Sequence, residues 1–211
     1  MAIQVNGTSV ITNGRGLVNV TAIDASTVGA IEAAGVGGST VFLGTTAITS
    51  DVDYIDVNFA AGYRAYRIHV EDLRQTAPSD VKKLRGRFTD SSNNVVSTET
   101  YIYLQAGNTS ATRETSLWHN SGVYVPAAVD STYQTSNVII VYDPLDSSIC
   151  TSGQWHGIGG YKETYTQNYT GNGMFFSMER PAQHNALRIY INDPTARIDS
   201  TSSGYSVWGI K

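Results

Sequence analysis

Catalysis needs groups that hold a proton, a metal or a leaving atom, and this 211-residue chain scatters them. Its four histidines, His69, His119, His156 and His184, have no carboxylate or second histidine at ligand spacing, so each reads as a surface or loop residue. Asp51, Asp53 and Asp56 stand close together. Only Asp51 and Asp53 would share a face of an extended strand, and no glycine follows at the sixth position of a helical calcium loop. The three read as solvated edge charges, which discourage edge-to-edge pairing of sheets. Cys150 is the single cysteine and reads as an inert thiol in a strand end or loop. No nucleophile elbow, His-Glu-X-X-His helix, phosphate-binding glycine loop or paired-cysteine spacing occurs. Nothing signals the paired carboxylates of a glycosidase. The expectation is a non-enzyme with no catalytic residue, no metal and no cofactor.

Binding is better supported. Residues 105–136 are rich in Ser, Thr, Asn and Gly yet carry Trp118, His119, Tyr124 and Tyr133, and residues 144–172 carry Trp155, His156, Tyr161, Tyr165 and Tyr169. Tyr and Trp give rigid contact area at small entropic cost, and short polar neighbours add adaptable hydrogen bonds. Sugars expose apolar C–H faces that suit such rings. Trp118, Tyr124, Tyr165 and Tyr169 are the candidate ligand-binding residues. Trp155, in QWHGIGGY, reads instead as part of a core strand with a glycine bulge.

The elements that must position them are strands. In VDYIDVNF the apolar set is Ile55, Val57 and Phe59; in YRIHVEDL it is Tyr66, Ile68 and Val70; in KLRGRFTD it is Leu84, Gly86 and Phe88. Period-two alternation of this kind marks strands with one buried and one wet face. Residues 90–94 form a polar turn cluster, after which Val95 to Leu104 reads as the returning hairpin partner. Val138 to Val141 is apolar on both faces and reads as a central strand covered on each side. Met174, Phe176 and Met178 form one further inward set, Leu187, Ile189 and Ile191 another, and Tyr205 to Ile210 the last strand. About eight to ten strands with no βαβ alternation predict an all-β fold, an antiparallel β-sandwich of jelly-roll-like type, over residues 39–211.

Residues 1–38 differ. Short strands broken by Asn6-Gly7 and Asn13-Gly14 lead to a strand from Leu17 to Ile23 and a short helix over about 24–34. Gly35, Gly37 and Gly38 then read as a hinge. Asp24 or Ser26 can cap the helix. Val28 and Ile31 share one face three residues apart, and so short a helix is marginal alone. The two apolar side chains need a partner, either a three-fold repeat of themselves or the sandwich beneath. This small strand-turn-strand and helix module is expected to attach or oligomerise the protein.

A net charge of −4 with 15% charged residues argues against a nucleic-acid partner. No apolar run approaches a membrane span, so no membrane insertion is expected. Met1 is not followed by a basic region and an apolar core, so assembly in a cytoplasm is expected, and the Asn-X-Ser/Thr sequons at Asn6, Asn19, Asn108 and Asn168 carry no weight. Roughly a fifth of the chain is Ser or Thr, with 13 Tyr and 20 Gly, which suits strands and polar turns.

The opening IQVNGTSVITNGRGLVNVTAIDASTVGAIEAAGVGG resembles the N-termini of tail-fibre and other minor structural proteins of tailed bacteriophages, above all marine and cyanobacterial ones. YRAYRIHVEDLRQTAPSDVKKLRGRFTDSSNNVV resembles the first core strands of the sandwich that follows in them, and GYSVWGIK, closing on Trp208-Gly209-Ile210-Lys211, their final strand. The likeness covers roughly half the chain, and residues 105–172 lie outside it. It implies a virion protein, a homo-oligomer and expectedly a trimer. Residues 1–38 would contact other virion proteins while the sandwich projects toward host-surface carbohydrate. The rival expectations are a capsid or tail decoration protein that only cements neighbours, a carbohydrate-binding module, and a polysaccharide depolymerase.

Overall fold

The computed structural model describes the backbone of residues 3–5, 8–11, 39–76, 82–96, 101–109, 112–120, 123–129, 135–163, 165–177, 183–202 and 204–211, and the side chains of 39–76, 84–96, 135–157, 174, 183–202 and 204–211. Internal contacts divide the chain into two units, Met1–Ser39 and Thr40–Lys211. In the first, β1 (Ile3–Val5) and β2 (Thr8–Ile11) pair antiparallel with Val5 opposite Thr8. This matches strands on either side of Asn6-Gly7, a dipeptide suited to a two-residue hairpin turn. The Leu17 to Ile23 strand, the helix over 24–34 with Val28 and Ile31, and the glycine hinge lie outside the described residues.

The second unit is all-β. Its strands are β3 (Thr40–Ala47), β4 (Tyr54–Asn58), β5 (Ala65–Leu73), β6 (Lys82–Thr89), β7 (Tyr101–Thr109) and β8 (Thr112–Asn120), then β9 (Val123–Val129), β10 (Thr135–Tyr142), β11 (Ser152–Glu163), β12 (Tyr165–Ser177), β13 (Ala186–Ile191) and β14 (Gly204–Ile210). They form an eight-stranded sheet in the order β3-β14-β5-β10-β11-β12-β7-β8 and a four-stranded sheet in the order β4-β13-β6-β9. The antiparallel pairs are nested: β3 with β14, β4 with β13, β5 with β10 and β6 with β9. Eight strands paired this way across two sheets are a jelly roll. The remaining four are two inserted hairpins, β7–β8 between β6 and β9 and β11–β12 between β10 and β13, and both widen the same sheet.

The core lies between the sheets. Ile55, Val57, Leu84, Phe88, Leu187 and Ile189 of the smaller sheet meet Tyr66, Ile68, Val70, Ile139, Val141, Trp155 and Val207 of the larger. The inward sets expected in β4, β5, β6 and β13 therefore hold, as does Trp155 in the core, 2% exposed. Glycine is required at two contacts. Gly204 has φ +131° and a Cβ there would lie 2.1 Å from the Thr46 carbonyl oxygen, while at Gly209 it would meet the Tyr63 ring at 2.4 Å.

Three expectations change. After the turn at Asp90, Val95 bridges Thr89 and the Val96 amide donates to the Phe88 carbonyl, but the next described strand, β7, belongs to the other sheet, where it pairs with β12 and β8. Nested pairing reserves the neighbours of β6 for β13 and β9. Met174 points outward, 51% exposed, because it stands opposite the exposed Gln154, whereas the buried Trp155 stands opposite Gly173. Val138 and Ile140 are only half-buried, so β10 is central by pairing but covered by the core on one face alone.

Candidate functional site

The four aromatic residues singled out in the sequence occupy different places. Tyr165 and Tyr169 stand on β12 opposite Glu163 and Gly159 of β11. Among the described residues the pairing of β12 with β7 reaches Thr170 and that of β11 with β10 reaches Gly159. Among the described residues Tyr165 and Tyr169 therefore pair with β11 alone, Tyr165 beside the hairpin turn and Tyr169 next to Thr170. The β7–β8 hairpin closes at the same end, with Thr109 opposite Thr112 and Asn108 opposite Thr170. Trp118, on the edge strand β8, stands opposite Tyr103, itself opposite Phe175. That is six positions along β12 from Tyr169, or about 20 Å at strand rise. Tyr124 is on β9 of the other sheet, opposite Arg85. The backbone thus brings Tyr165 and Tyr169 onto one arm and keeps Trp118 and Tyr124 apart from it. Their side chains, like Val28 and Ile31, lie outside the described residues.

The titratable residues sort by burial. His156 is exposed and His69 half-buried, while His184, of the expected surface or loop positions, takes a loop one just before β13 and is fully buried there. Its Nδ1 lies 2.7 Å from the Thr151 hydroxyl, and its ring stacks on Phe88 at 4.5 Å. A hydroxyl beside an imidazole is part of an activated-nucleophile arrangement. Thr151 and His184 are both inaccessible, so this pair ties the start of β11 to the approach of β13 instead. Cys150 is exposed. Asp51 accepts the Ser200 amide and Asp53 pairs with Arg197 at 2.8 Å. Asp56 is not a solvated edge charge: it is half-buried and takes the Arg188 guanidinium in two 2.7 Å hydrogen bonds. Among the described residues no cluster of three metal-binding side chains forms.

Arg188 of that ion pair, with Tyr54, Arg87 and Tyr190, also lines a cleft of about 480 Å³ on the outer face of the four-stranded sheet. Alternation along β4, β13 and β6 sends Ile55, Leu187 and Phe88 inward and presents Tyr54, Asp56, Arg188, Tyr190, Arg85 and Arg87 outward. Register then aligns Asp56, Arg188 and Arg87 in one row and Tyr54, Tyr190 and Arg85 in the next. Arg188 lies 3.8 Å over the Tyr54 ring and Arg87 lies 5.4 Å from the centre of Tyr190. Asn192, Asp193 and Pro194 wall one end. Asp193 shapes that wall by accepting the amide and hydroxyl of Thr195 at 2.8 and 2.6 Å.

Hydrogen bonding to Asp56 raises the Arg188 pKa further, against the opposing effect of burial, so the guanidinium stays charged. A planar fork gripped on one side and stacked on an aromatic face is held in a single orientation. The Tyr190 phenol is buried without a hydrogen-bond partner. Such a surface can seat a flat polar ring: an aromatic platform, oriented N–H donors and an amide at the rim. The sequence reading missed it because Arg85 and Arg87 look like any wet face, and their convergence with Tyr54 and Tyr190 depends on strands far apart in the chain. The available signal was aromatic and charged residues alternating on the outward positions of two strands.

Among the described residues no helix is long and apolar enough to cross a membrane. Comparison with protein-family models, with curated proteins and with solved structures returns no match.

Proposed function

We propose that the protein is a structural component of a phage virion, a short tail fibre or fibre-like protein whose sandwich contacts host-surface glycan. The observation that carries this reading is the pair of hairpins inserted into the jelly roll. They lie outside the nested eight-strand pairing, although Trp155 of β11 joins the core, and among the described residues β11 and β12 pair with each other past β10 and β7 and carry Tyr165 and Tyr169 at that end. A two-stranded ribbon is marginal by itself, so its extension beyond the sheet favours a role in contact. Jelly rolls serve both capsids and lectin domains, which accords with this reading by analogy of fold. Residues 1–38 act as the attachment and trimerisation module, and no catalytic step is assigned.

Light scattering on the full chain tests the assembly: a trimer is expected, weakened by removal of residues 1–38. A monomer at micromolar concentration overturns it. Host-cell pull-down tests recognition, with saturable binding expected that Tyr165→Ala and Tyr169→Ala reduce.

One observation favours a second reading, a decoration protein that cements neighbours. The outer face of the larger sheet exposes Phe42 (58%) and Met174 (51%), apolar surface suited to a neighbouring subunit. Under this reading host cells show no saturable binding.

A further inference from the structure

We propose that the cleft on the four-stranded sheet is a subsite for an uncharged saccharide; the inference rests on the glycan reading above and names the ligand class and the place. The volume, about 480 Å³, is that of a small-molecule site. The charges of the lining cancel, Arg87 and Arg188 standing against Asp53 and Asp193. Each of the four is also engaged within the chain. Asp56, from outside the lining, grips Arg188 in two 2.7 Å hydrogen bonds, and Asp53 pairs with Arg197 at 2.8 Å. Asp193 accepts the amide and hydroxyl of Thr195, and Arg87 lies near the Tyr190 ring and has a further contact. A charged ligand would give up its hydration here without gaining an unpaired counter-charge, a penalty that an uncharged ligand escapes.

What the cleft offers suits C–H groups and hydroxyls side by side. Tyr54 supplies the platform. One side of its ring is covered by the Arg188 guanidinium at 3.8 Å, yet the residue stays 44% exposed, so its other side is open to the C–H face of a sugar ring. Val95 and Pro194 add apolar wall. Arg188 supplies fixed donors. Asp56 occupies Nε–H and one Nη2–H of the five N–H groups, and the other three have no acceptor among the described residues. Acceptors stand opposite in the lining: Asp53 keeps its side chain 67% exposed despite its ion pair, and the exposed Asn192 amide both donates and accepts. A sugar hydroxyl likewise donates and accepts, so neighbouring hydroxyls can meet this mixed rim. Hydrogen bonds to a guanidinium or carboxylate are strong without any charge on the ligand.

The test is calorimetric titration of the full chain with neutral oligosaccharides of glucose, galactose, mannose or N-acetylglucosamine, with glucuronate, galacturonate and mannuronate oligosaccharides, and with adenosine as an uncharged planar ring. At least one neutral saccharide should bind saturably, with an affinity that does not change between low and high salt, and no uronate should bind more tightly. Tyr54→Ala should weaken binding by about tenfold, while Tyr54→Phe, which keeps the ring, should not. Asn192→Ala should weaken it about threefold. Both positions are exposed, and unchanged melting temperatures confirm the fold. Should Tyr54→Ala unfold the chain, Asn192→Ala decides alone. Binding of none of the neutral saccharides, tighter binding of a uronate, equal binding of adenosine, or indifference to Tyr54→Ala or to Asn192→Ala each overturns the subsite. The host-cell assay separates the two proposals. Cell binding that survives Tyr54→Ala but is lost with Tyr165→Ala overturns the cleft and leaves the display reading intact. Saccharide binding in the cleft without cell binding does the reverse.

Discussion

The two sheets share one core and turn different chemistry to the outside. On the smaller sheet, Arg188 pairs with Asp56 and lies over Tyr54, and Arg87 lies near the ring of Tyr190. On the larger, Phe42 and Trp208 lie 5.4 Å apart, Trp208 meets His69 in a tilted contact at 4.5 Å, and the half-buried Val138 and Ile140 and the exposed Met174 alternate with polar residues such as Arg67 and Gln154. The first face pairs Arg188 with Asp56, leaves the Tyr190 phenol without a hydrogen-bond partner, and borders a cleft. The second leaves apolar area in water, each square ångström of which favours association by roughly 25 cal/mol when covered. One face is organised by an ion pair and ring contacts, and the other leaves apolar side chains among polar ones in water.

Removing what both faces stand on erases the contrast. Phe88 is fully buried between the sheets against Phe59 and His184. Phe88→Ala should cost about 4 kcal/mol in urea denaturation, through lost burial plus the cavity left behind.

Breaking the polar face alone comes next. Arg188→Ala leaves Asp56, 17% exposed, without its guanidinium, and should cost about 2 kcal/mol. The matching change at the exposed pair Arg64–Asp143, where the arginine is 80% exposed, should cost no more than about 0.5 kcal/mol. Equal losses at the two sites would show that the cleft pair is no more organised than a surface pair.

The apolar face should respond to acid. Burial, and then the neighbouring Arg67, hold His69 below the ordinary histidine range, with Glu71 pulling the other way. A lowered folded-state pKa means that the unfolded chain takes up the proton first. Stability is therefore intact above about pH 7 and declines as pH falls through about 6.5. His69→Gln should flatten that decline, and denaturation curves at neutral and mildly acidic pH measure it.

The smallest stability effect sharpens the comparison most. Phe42→Ser removes a ring already 58% exposed, so unfolding should change by less than about 1 kcal/mol. Its consequence should appear in association, as weaker self-assembly or less binding of a hydrophobic dye. Tyr54→Ser, the counterpart on the other face, should leave assembly unchanged.

Strand alternation made the inner faces legible. Ile55 and Val57, Ile68 and Val70, and Leu187 and Ile189 fall inward because a period-two pattern needs no knowledge of partners. The same logic failed at Met174, where Met174 and Phe175 lie next to each other and an apolar type at each cannot say which faces the core. The hairpin expected after Asp90 failed for a different reason. The turn is real, with the Asp90 carboxylate accepting the Ser92 and Asn94 amides, but a local turn cannot specify whether the strand beyond it stays in register. Asp56 was read as a solvated charge because Arg188, 132 residues away, is invisible to any local pattern.

An all-β sandwich, its inward faces, the buried Trp155 and the separate character of residues 1–38 follow from composition and periodicity, because these depend on each residue's own preference for water and on its nearest neighbours. The nested jelly-roll order, the placing of the two inserted hairpins and the arginine–tyrosine cleft follow from which strands become neighbours. That choice is made by long-range packing of both sheets at once, and it alone determines which wet residues meet.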